Sequence, residues 1–229
     1  DTKTSQSTSI PYYFNIDIDK ELLFTPIINY GGGVDASQRF VFDYNQILSG
    51  GNFKTDLTFD SNIEHENDKE WIKEASLITI FNKNLNQNYR IKASSALQSS
   101  KDYIQITKPN DELSYTTALS TNIILEGYNL NKIDDQLSIS LNYYQANQEN
   151  EDNKTLPIVI PKIKYFSGYK NDNKNTSSYT IETYNIIRKK STSVHSKKQK
   201  KLSHKYSFNS EILNYNSKIS FDMEVYNQF

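Results

Sequence analysis

Residues 10–18 read Ile-Pro-Tyr-Tyr-Phe-Asn-Ile-Asp-Ile, and apolar side chains occupy every second position from Ile10 to Ile18. Such alternation places apolar residues on one face of a β-strand and polar residues on the other. The pattern returns in residues 137–143, Leu-Ser-Ile-Ser-Leu-Asn-Tyr, and in residues 219–226, Ile-Ser-Phe-Asp-Met-Glu-Val-Tyr. We therefore expect strands with one dry face and one wet face from one end of the chain to the other.

The other strand candidates share this alternation or are rich in Tyr, Phe, Ile and Thr, which suit pleated surfaces. They are residues 22–29, 38–44, 53–60, 77–81, 89–94, 103–107, 121–126, 158–165, 179–187 and 205–208. Turn-forming residues separate them, most clearly at 31–33, 50–51, 109–111 and 171–173. Two short helical pieces are expected as well, residues 68–75 around Trp71 and a single turn over residues 45–48.

The composition agrees with an all-β fold. The 229 residues include 17 Tyr and 11 Phe but one Met and no Cys, so disulfides and thiolate metal sites are excluded. Many short strands at this spacing favour a sandwich or a closed sheet of antiparallel strands. We predict an immunoglobulin-like antiparallel β-sandwich with long loops. Residues 1–19 form an N-terminal extension in this prediction, and residues 20–229 form a single domain.

The sequence holds no established catalytic or metal-binding motif. His65 lies among Glu64, Glu66 and Asp68, but the spacing matches no zinc pattern, and adjacent strand residues point to opposite faces. The glycine triplet at 31–33 lacks the lysine and the helix that would hold a phosphate. We expect no catalytic residues, no metal ion and no cofactor.

The densest run of charge lies between residues 188 and 205, which hold no acidic residue. Its cations are Arg188, Lys189, Lys190, Lys197, Lys198, Lys200, Lys201 and Lys205. Such a run is typical of a solvated hairpin loop, and also of a site for an anionic host glycan, lipopolysaccharide or an anionic membrane. No specific nucleic-acid binding is expected, because the interleaved aromatic residues of a single-strand groove are missing.

The two ends of the chain resemble subunits of chaperone–usher pili, in particular the cysteine-free major and minor pilins of the colonisation-factor type. In that family an alternating N-terminal extension fills a groove in the next subunit's incomplete immunoglobulin-like sandwich. The resemblance implies a donor strand that carries Ile10, Tyr12, Phe14, Ile16 and Ile18. It implies an acceptor-groove edge that carries Ile219, Phe221, Met223 and Val225. The implied partners are further copies or other fibre subunits, with a periplasmic chaperone and usher.

The expected function is that of a structural, adhesive subunit of an extracellular fibre (a fimbria or pilus) that assembles by strand exchange. The chain starts at Asp1 with a polar stretch, which predicts a mature terminus left by signal-peptide removal and a location outside the cell or on its surface. A second hypothesis is a secreted glycan- or receptor-binding β-sandwich module that uses the basic run. A third is a viral or phage coat or receptor-binding protein, and an enzyme is the least favoured class.

Overall fold

Strands make up most of the computed structural model, which describes residues 5–31, 37–62, 72–131, 134–171, 175–212 and 217–228. The strands are β1 (Ser5–Ser9), β2 (Tyr12–Asp17), β3 (Lys20–Gly31), β4 (Ser37–Leu48), β5 (Gly51–Asn62), β6 (Ile72–Asn84), β7 (Tyr89–Gln98), β8 (Ala118–Tyr128), β9 (Gln136–Ala146), β10 (Ile158–Asn171), β11 (Asn175–Ile187), β12 (Lys198–Ile212) and β13 (Ser217–Gln228). A short helix, α1 (Tyr103–Thr107), and a 3₁₀ turn, Glu112–Tyr115, lie between β7 and β8. The predicted all-β antiparallel class is confirmed.

The strands follow one another through the sheet in chain order. From β3 to β13 each strand is hydrogen-bonded to the next, and β1 and β2 both pair with β3. Consecutive amphipathic strands joined by tight turns pair as hairpins, which explains this meander. The order differs from the Greek-key order of immunoglobulin sandwiches, in which chain neighbours are shared between two sheets.

The chain divides into two compact units. Unit 1 comprises Asp1–Lys83, Ala93–Thr121 and Gln145–Asp152, and unit 2 comprises Asn84–Lys92, Asn122–Tyr144 and Asn153–Phe229. Strands β1 to β5 and helix α1 therefore belong to unit 1, and strands β10 to β13 belong to unit 2. The separate extension over residues 1–19 stays a prediction.

Three local predictions were wrong. Residues 103–107 form α1 instead of a strand, because the helix buries Tyr103 and Ile104 and the Ile104 backbone N–H donates to Gln98 Oε1 at 2.9 Å. Residues 45–48 continue β4 instead of turning, because they pair with residues 51–54 of β5. Of the predicted helix at 68–75, the last four residues belong to β6, and the others lie outside the described residues.

The buried apolar cluster of unit 1 is small. It consists of Ala96 on β7, Ile104 on α1 and Leu119 on β8, with the half-buried Ile78 and Leu113 packed against it. Helix α1 thus rests on the sheet through one apolar contact region.

The turn between β4 and β5 provides a test of the sheet geometry. Gly50 has a φ of 76°, and a Cβ on Gly51 would lie 2.0 Å from the backbone oxygen of Asn82. No real contact is that short, so β5 or β6 must shift when Gly51 carries a side chain. We expect Gly51→Ala to lower the free energy of unfolding by about 1–3 kcal/mol, measured by urea unfolding followed by circular dichroism.

Gly168 on β10 is the matched control. A Cβ there would meet its nearest atom, on the Phe166 ring, at 3.5 Å, which is ordinary van der Waals contact. Gly168→Ala should change the free energy of unfolding by no more than about 0.5 kcal/mol. Equal losses in the two variants would contradict the close approach of β5 to β6.

Candidate functional surfaces of the sheet

One face of the sheet in unit 1 is apolar and aromatic. We call it the apolar face of unit 1. It carries Tyr12, Phe14, Leu22, Phe24, Phe40, Phe42, Tyr44, Phe53, Leu57, Phe59, Leu77 and Phe81, which lie opposite one another across neighbouring strands. Ring contacts run along it, with centroid distances of 4.7 Å between Phe24 and Phe42 and 6.0 Å between Phe42 and Phe59. Each ring therefore packs against rings on adjacent strands.

The opposite face of unit 1 carries most of the charged side chains, together with apolar ones such as Leu23, Ile78 and Ile80. We call it the polar face of unit 1. It carries Glu21, Arg39, Asp43, Asn45, Lys54, Asp56, Thr58, Asp60, Glu74 and Ser76. The Arg39 guanidinium forms two hydrogen bonds to the Asp60 carboxylate, at 2.7 and 3.0 Å, and Asn45 donates to Glu21 at 3.1 Å. Hydrogen bonds therefore connect the charged side chains of neighbouring strands on this face.

Burial is inverted between the two faces. Thr58 is 1% exposed although Leu57 beside it on β5 is 38% exposed, and Ser76 is 2% exposed beside Leu77 at 37%. Unit 2 repeats the inversion on β9, where Ser140 is 8% exposed and Leu141 39%. Adjacent strand residues point to opposite faces, so in each case the polar face is the covered one. An antiparallel sheet in water normally shows the reverse.

The segment that contains α1 lies against the polar face of unit 1. The Tyr103 hydroxyl donates to Asp60 Oδ1 at 2.9 Å, and Lys108 donates to Asp56. Burial, reinforced by the negative charge of Asp60, raises the pKa of Tyr103, so the phenol keeps its proton and remains a donor. This segment brings a cation and a hydroxyl donor to two carboxylates of the sheet.

A buried amide network holds the same segment in place. The Gln98 side chain donates to Asn147 Oδ1 at 3.1 Å, and Asn147 Nδ2 donates to the backbone oxygens of Leu113 and Thr116 at 2.9 and 2.8 Å. Gln145 also donates to the Gln98 backbone oxygen. The network satisfies the buried backbone of the turn that follows α1.

The polar face of unit 1 contains a cavity, and so does the face of unit 2 that carries Ser138, Ser140, Lys162, Lys164 and Tyr184, which we call the polar face of unit 2. The cavity of unit 1 has a volume of about 430 Å³, and its charged lining residues are Glu21, Asp43, Asp56 and Lys54. The cavity of unit 2 has a volume of about 480 Å³ and lies between β9, β10 and β11, with Lys162 and Lys164 as its charged lining residues. The two linings therefore carry opposite net charges.

The predicted donor residues lie on an exposed edge. Strand β2 pairs with β3, so that Tyr12 lies opposite Phe24 and Phe14 opposite Leu22. The five predicted donor side chains, Ile10, Tyr12, Phe14, Ile16 and Ile18, are all exposed. Donation of this strand to another copy stays a prediction.

The predicted acceptor residues lie on β13 at the other end of the strand order. Its backbone pairs with β12, and Phe221 lies opposite Phe208, Met223 opposite Tyr206 and Val225 opposite His204. Ile219 lies opposite Ser210. Since only the backbone of β13 is described, the groove itself stays a prediction.

The basic run is an ordered hairpin that begins after β11 and continues into β12. Arg188 is buried, and its guanidinium donates to Gln199 Oε1 at 2.7 Å. Six lysines are exposed, namely Lys189, Lys190, Lys197, Lys198, Lys200 and Lys205. Lys201 is half-buried, with its Nζ 5.7 Å from the centroid of the Tyr184 ring. Arg188 thus holds the hairpin, and binding of an anion by the exposed lysines stays a prediction.

The sequence reasoning missed the cross-strand charge pairs. Arg39 and Asp60, and Lys162 and Glu182, are about twenty residues apart in the chain and meet through the strand register. The polar residues of the alternating pattern are the feature that indicates these pairs. From the sequence alone, these residues were assigned to a solvent-exposed face instead. The acidic neighbourhood of His65 lies outside the described residues, and the residues that are described contain no group of three or more potential metal ligands.

Comparison with known proteins gives no assignment. No family model matches the chain, and no curated protein matches it. Within the described ranges, no helix is long and apolar enough to cross a membrane.

The bond from Tyr103 to Asp60 leads to a stability prediction. Tyr103→Phe keeps the ring but removes the hydroxyl donor from the half-buried carboxylate of Asp60. A hydrogen bond to a charged group contributes about 1.5–3 kcal/mol, so we expect a loss of about 2 kcal/mol in the free energy of unfolding. Tyr115→Phe, at a ring that is 75% exposed, is the control and should be neutral. Urea unfolding of both variants measures the difference, and a neutral Tyr103→Phe would contradict a structural role for this bond.

Proposed function

We propose that this chain is a membrane protein whose sheet contacts lipid acyl chains with its apolar face and reserves its charged face for polar solutes. The observation that carries the proposal is the inverted burial of neighbouring residues such as Leu57 and Thr58. Exposed leucine side chains such as Leu57 and Leu77 in water each forgo part of the about 1.5–3 kcal/mol that full burial contributes. In lipid the same side chains lie in the surroundings that they favour, and the covered polar face avoids contact with hydrocarbon.

The strand lengths support this proposal. Strands β3 to β13 have 10 to 15 residues, whereas the mean strand of soluble proteins has about 5–6. Ten extended residues measure about 33 Å. The hydrocarbon core of a bilayer is about 30 Å thick, and a tilted strand of about 9–11 residues is sufficient to cross it.

The absence of cysteine allows a direct test in each unit. Single cysteines are placed on the apolar face by Leu57→Cys in unit 1 and Leu141→Cys in unit 2. The matched controls are Lys54→Cys and Lys164→Cys, which replace exposed residues of the polar faces. Each variant is labelled with an environment-sensitive fluorophore, reconstituted into phosphatidylcholine vesicles, and quenched with acyl-chain spin-labelled lipid or with aqueous iodide.

Lipid contact predicts opposite quenching on the two faces. Labels at positions 57 and 141 should be quenched at least about threefold more by spin-labelled lipid than labels at 54 and 164, because only the former lie in hydrocarbon. Iodide should show the reverse preference if solvent reaches the polar face. Equal quenching by lipid at all four positions, or a monodisperse protein in buffer without detergent, would refute the proposal.

The second candidate function is the fibre subunit. It is favoured by the placement of the N-terminal strand, which pairs with β3 and whose residues are all exposed. A strand held along one edge can be exchanged for the same strand of another copy. In this function the exposed apolar side chains of β2 would fill a groove of the neighbouring subunit.

Deletion of residues 1–19 tests strand exchange. The full chain should give multimers on an SDS gel without boiling, and the truncated chain should give none. Added peptide of residues 1–19 should restore folding of the truncated chain without linking its copies, because a free strand belongs to no second subunit. Negative-stain micrographs of the same samples provide the second readout. Multimers that persist after the deletion would exclude exchange of this strand.

A further inference from the structure

Hydrogen-bond donors and positive charge line the cavity on the polar face of unit 2, together with the aliphatic side chains of Ile124, Val159 and Ile186. Ser138 lies directly opposite Lys164, and Ser140 lies opposite Lys162, between β9 and β10. Tyr184 lies opposite Lys162 on β11. Asn142 also lines the cavity, and its side chain donates to the Ser140 hydroxyl at 3.3 Å. Two ammonium groups, hydroxyls and an amide therefore converge on one volume of about 480 Å³.

The charges around this cavity do not cancel. Glu182 forms an ion pair with Lys162 at 2.8 Å. Lys164 and Lys201 also act electrostatically on Glu182. Among the described residues that line the cavity, Lys162 and Lys164 are charged and none is Asp or Glu. The balance is positive, which favours an anion.

We infer that this cavity binds a small phosphate-bearing solute. Lysine ammonium groups bind phosphate as point charges. A phosphate group carries about −1.5 to −2 charges at pH 7, so it is attracted by two lysines more strongly than a single carboxylate is. The serine hydroxyls and the Asn142 amide supply donors to the remaining phosphate oxygens. A volume of about 480 Å³ exceeds that of phosphate alone, and the Tyr144 and Tyr184 rings leave room for a sugar-sized group.

The cavity of unit 1 provides an internal contrast. It is of similar size, but Glu21, Asp43 and Asp56 outnumber Lys54 in its lining. A phosphate would meet repulsion there. Binding at unit 2 goes beyond lipid contact and is independent of it, since the site is formed by the polar side chains of one unit.

The test uses the full chain in detergent micelles and isothermal titration calorimetry. The probes are glucose 6-phosphate, inorganic phosphate and glucose. Glucose 6-phosphate should bind saturably, inorganic phosphate should compete with it, and glucose should not bind. The affinity for glucose 6-phosphate should fall as the sodium chloride concentration rises, because salt screens the attraction of lysine for phosphate.

Variants locate the site. Lys164→Gln, at an exposed residue, should weaken glucose 6-phosphate binding at least about tenfold, because it removes a charge-assisted hydrogen bond. Lys164→Arg should retain binding within about threefold, since the charge is kept. Lys54→Gln, in the cavity of unit 1, is the matched control and should leave the affinity unchanged. Circular dichroism checks that each variant is folded.

Three results would overturn the inference. The first is the absence of saturable heat with glucose 6-phosphate and with inorganic phosphate. The second is equal affinity for glucose and glucose 6-phosphate. The third is an unchanged affinity in Lys164→Gln. Each of these readouts is obtained in micelles, so failure of phosphate binding is distinguishable from failure of lipid contact, which is read from quenching in vesicles.

Discussion

The cross-strand register is the constraint on which the rest of the structure depends. In the pairing of β4 with β5, Phe42 lies opposite Leu57 and Asp43 lies opposite Asp56. Because side chains alternate between faces, a slip of β5 by one residue would move Asp56 onto the aromatic face and Leu57 onto the charged face. The tight turn at Gly50-Gly51 and the two hydrogen bonds between Arg39 and Asp60 hold this register at the two ends of the hairpin.

The same register creates a difficulty that the α1 segment resolves. Carboxylates directly opposite each other repel, and Asp43 and Asp56 are such a pair. Lys108, which follows α1, donates to Asp56 and brings a positive charge to this pair. Tyr103 at the start of the helix bonds to Asp60 on the same strand. The segment therefore provides a cation and a hydrogen-bond donor to the carboxylates of the charged face. The Gln98–Asn147 network holds the segment in position for these contacts.

The sequence predicted the strands well and their surroundings poorly. Alternation identifies two faces on β5, but it is symmetrical and does not say whether Leu57 or Thr58 is covered. The prediction that the apolar face is buried assumed that water surrounds the sheet. The structure shows the reverse, because Leu57 is exposed and Thr58 is buried. The helix at 103–107 was missed because Tyr-Ile-Gln-Ile-Thr alternates like a strand, and its conformation is determined by contacts with Gln98 and Asp60 that are distant from its local sequence. The ion pair between Lys162 and Glu182 depends on how β10 and β11 are aligned. This alignment cannot be predicted from the sequence of either strand alone.

The net charge of the side chains on each polar face indicates that these faces do more than avoid contact with hydrocarbon. A face that only had to avoid hydrocarbon could carry neutral serines and threonines throughout, at a lower desolvation cost than buried or half-buried ions. Instead, the lining of the unit 1 cavity is mainly acidic and that of the unit 2 cavity is basic. Two ammonium groups that line one cavity repel each other unless a negative charge lies between them. Lys164 is exposed to its cavity, beside a glutamate that already bonds to Lys162. A bound anion supplies the missing negative charge, which is why the excess of lysine in unit 2 favours a ligand over a purely structural role.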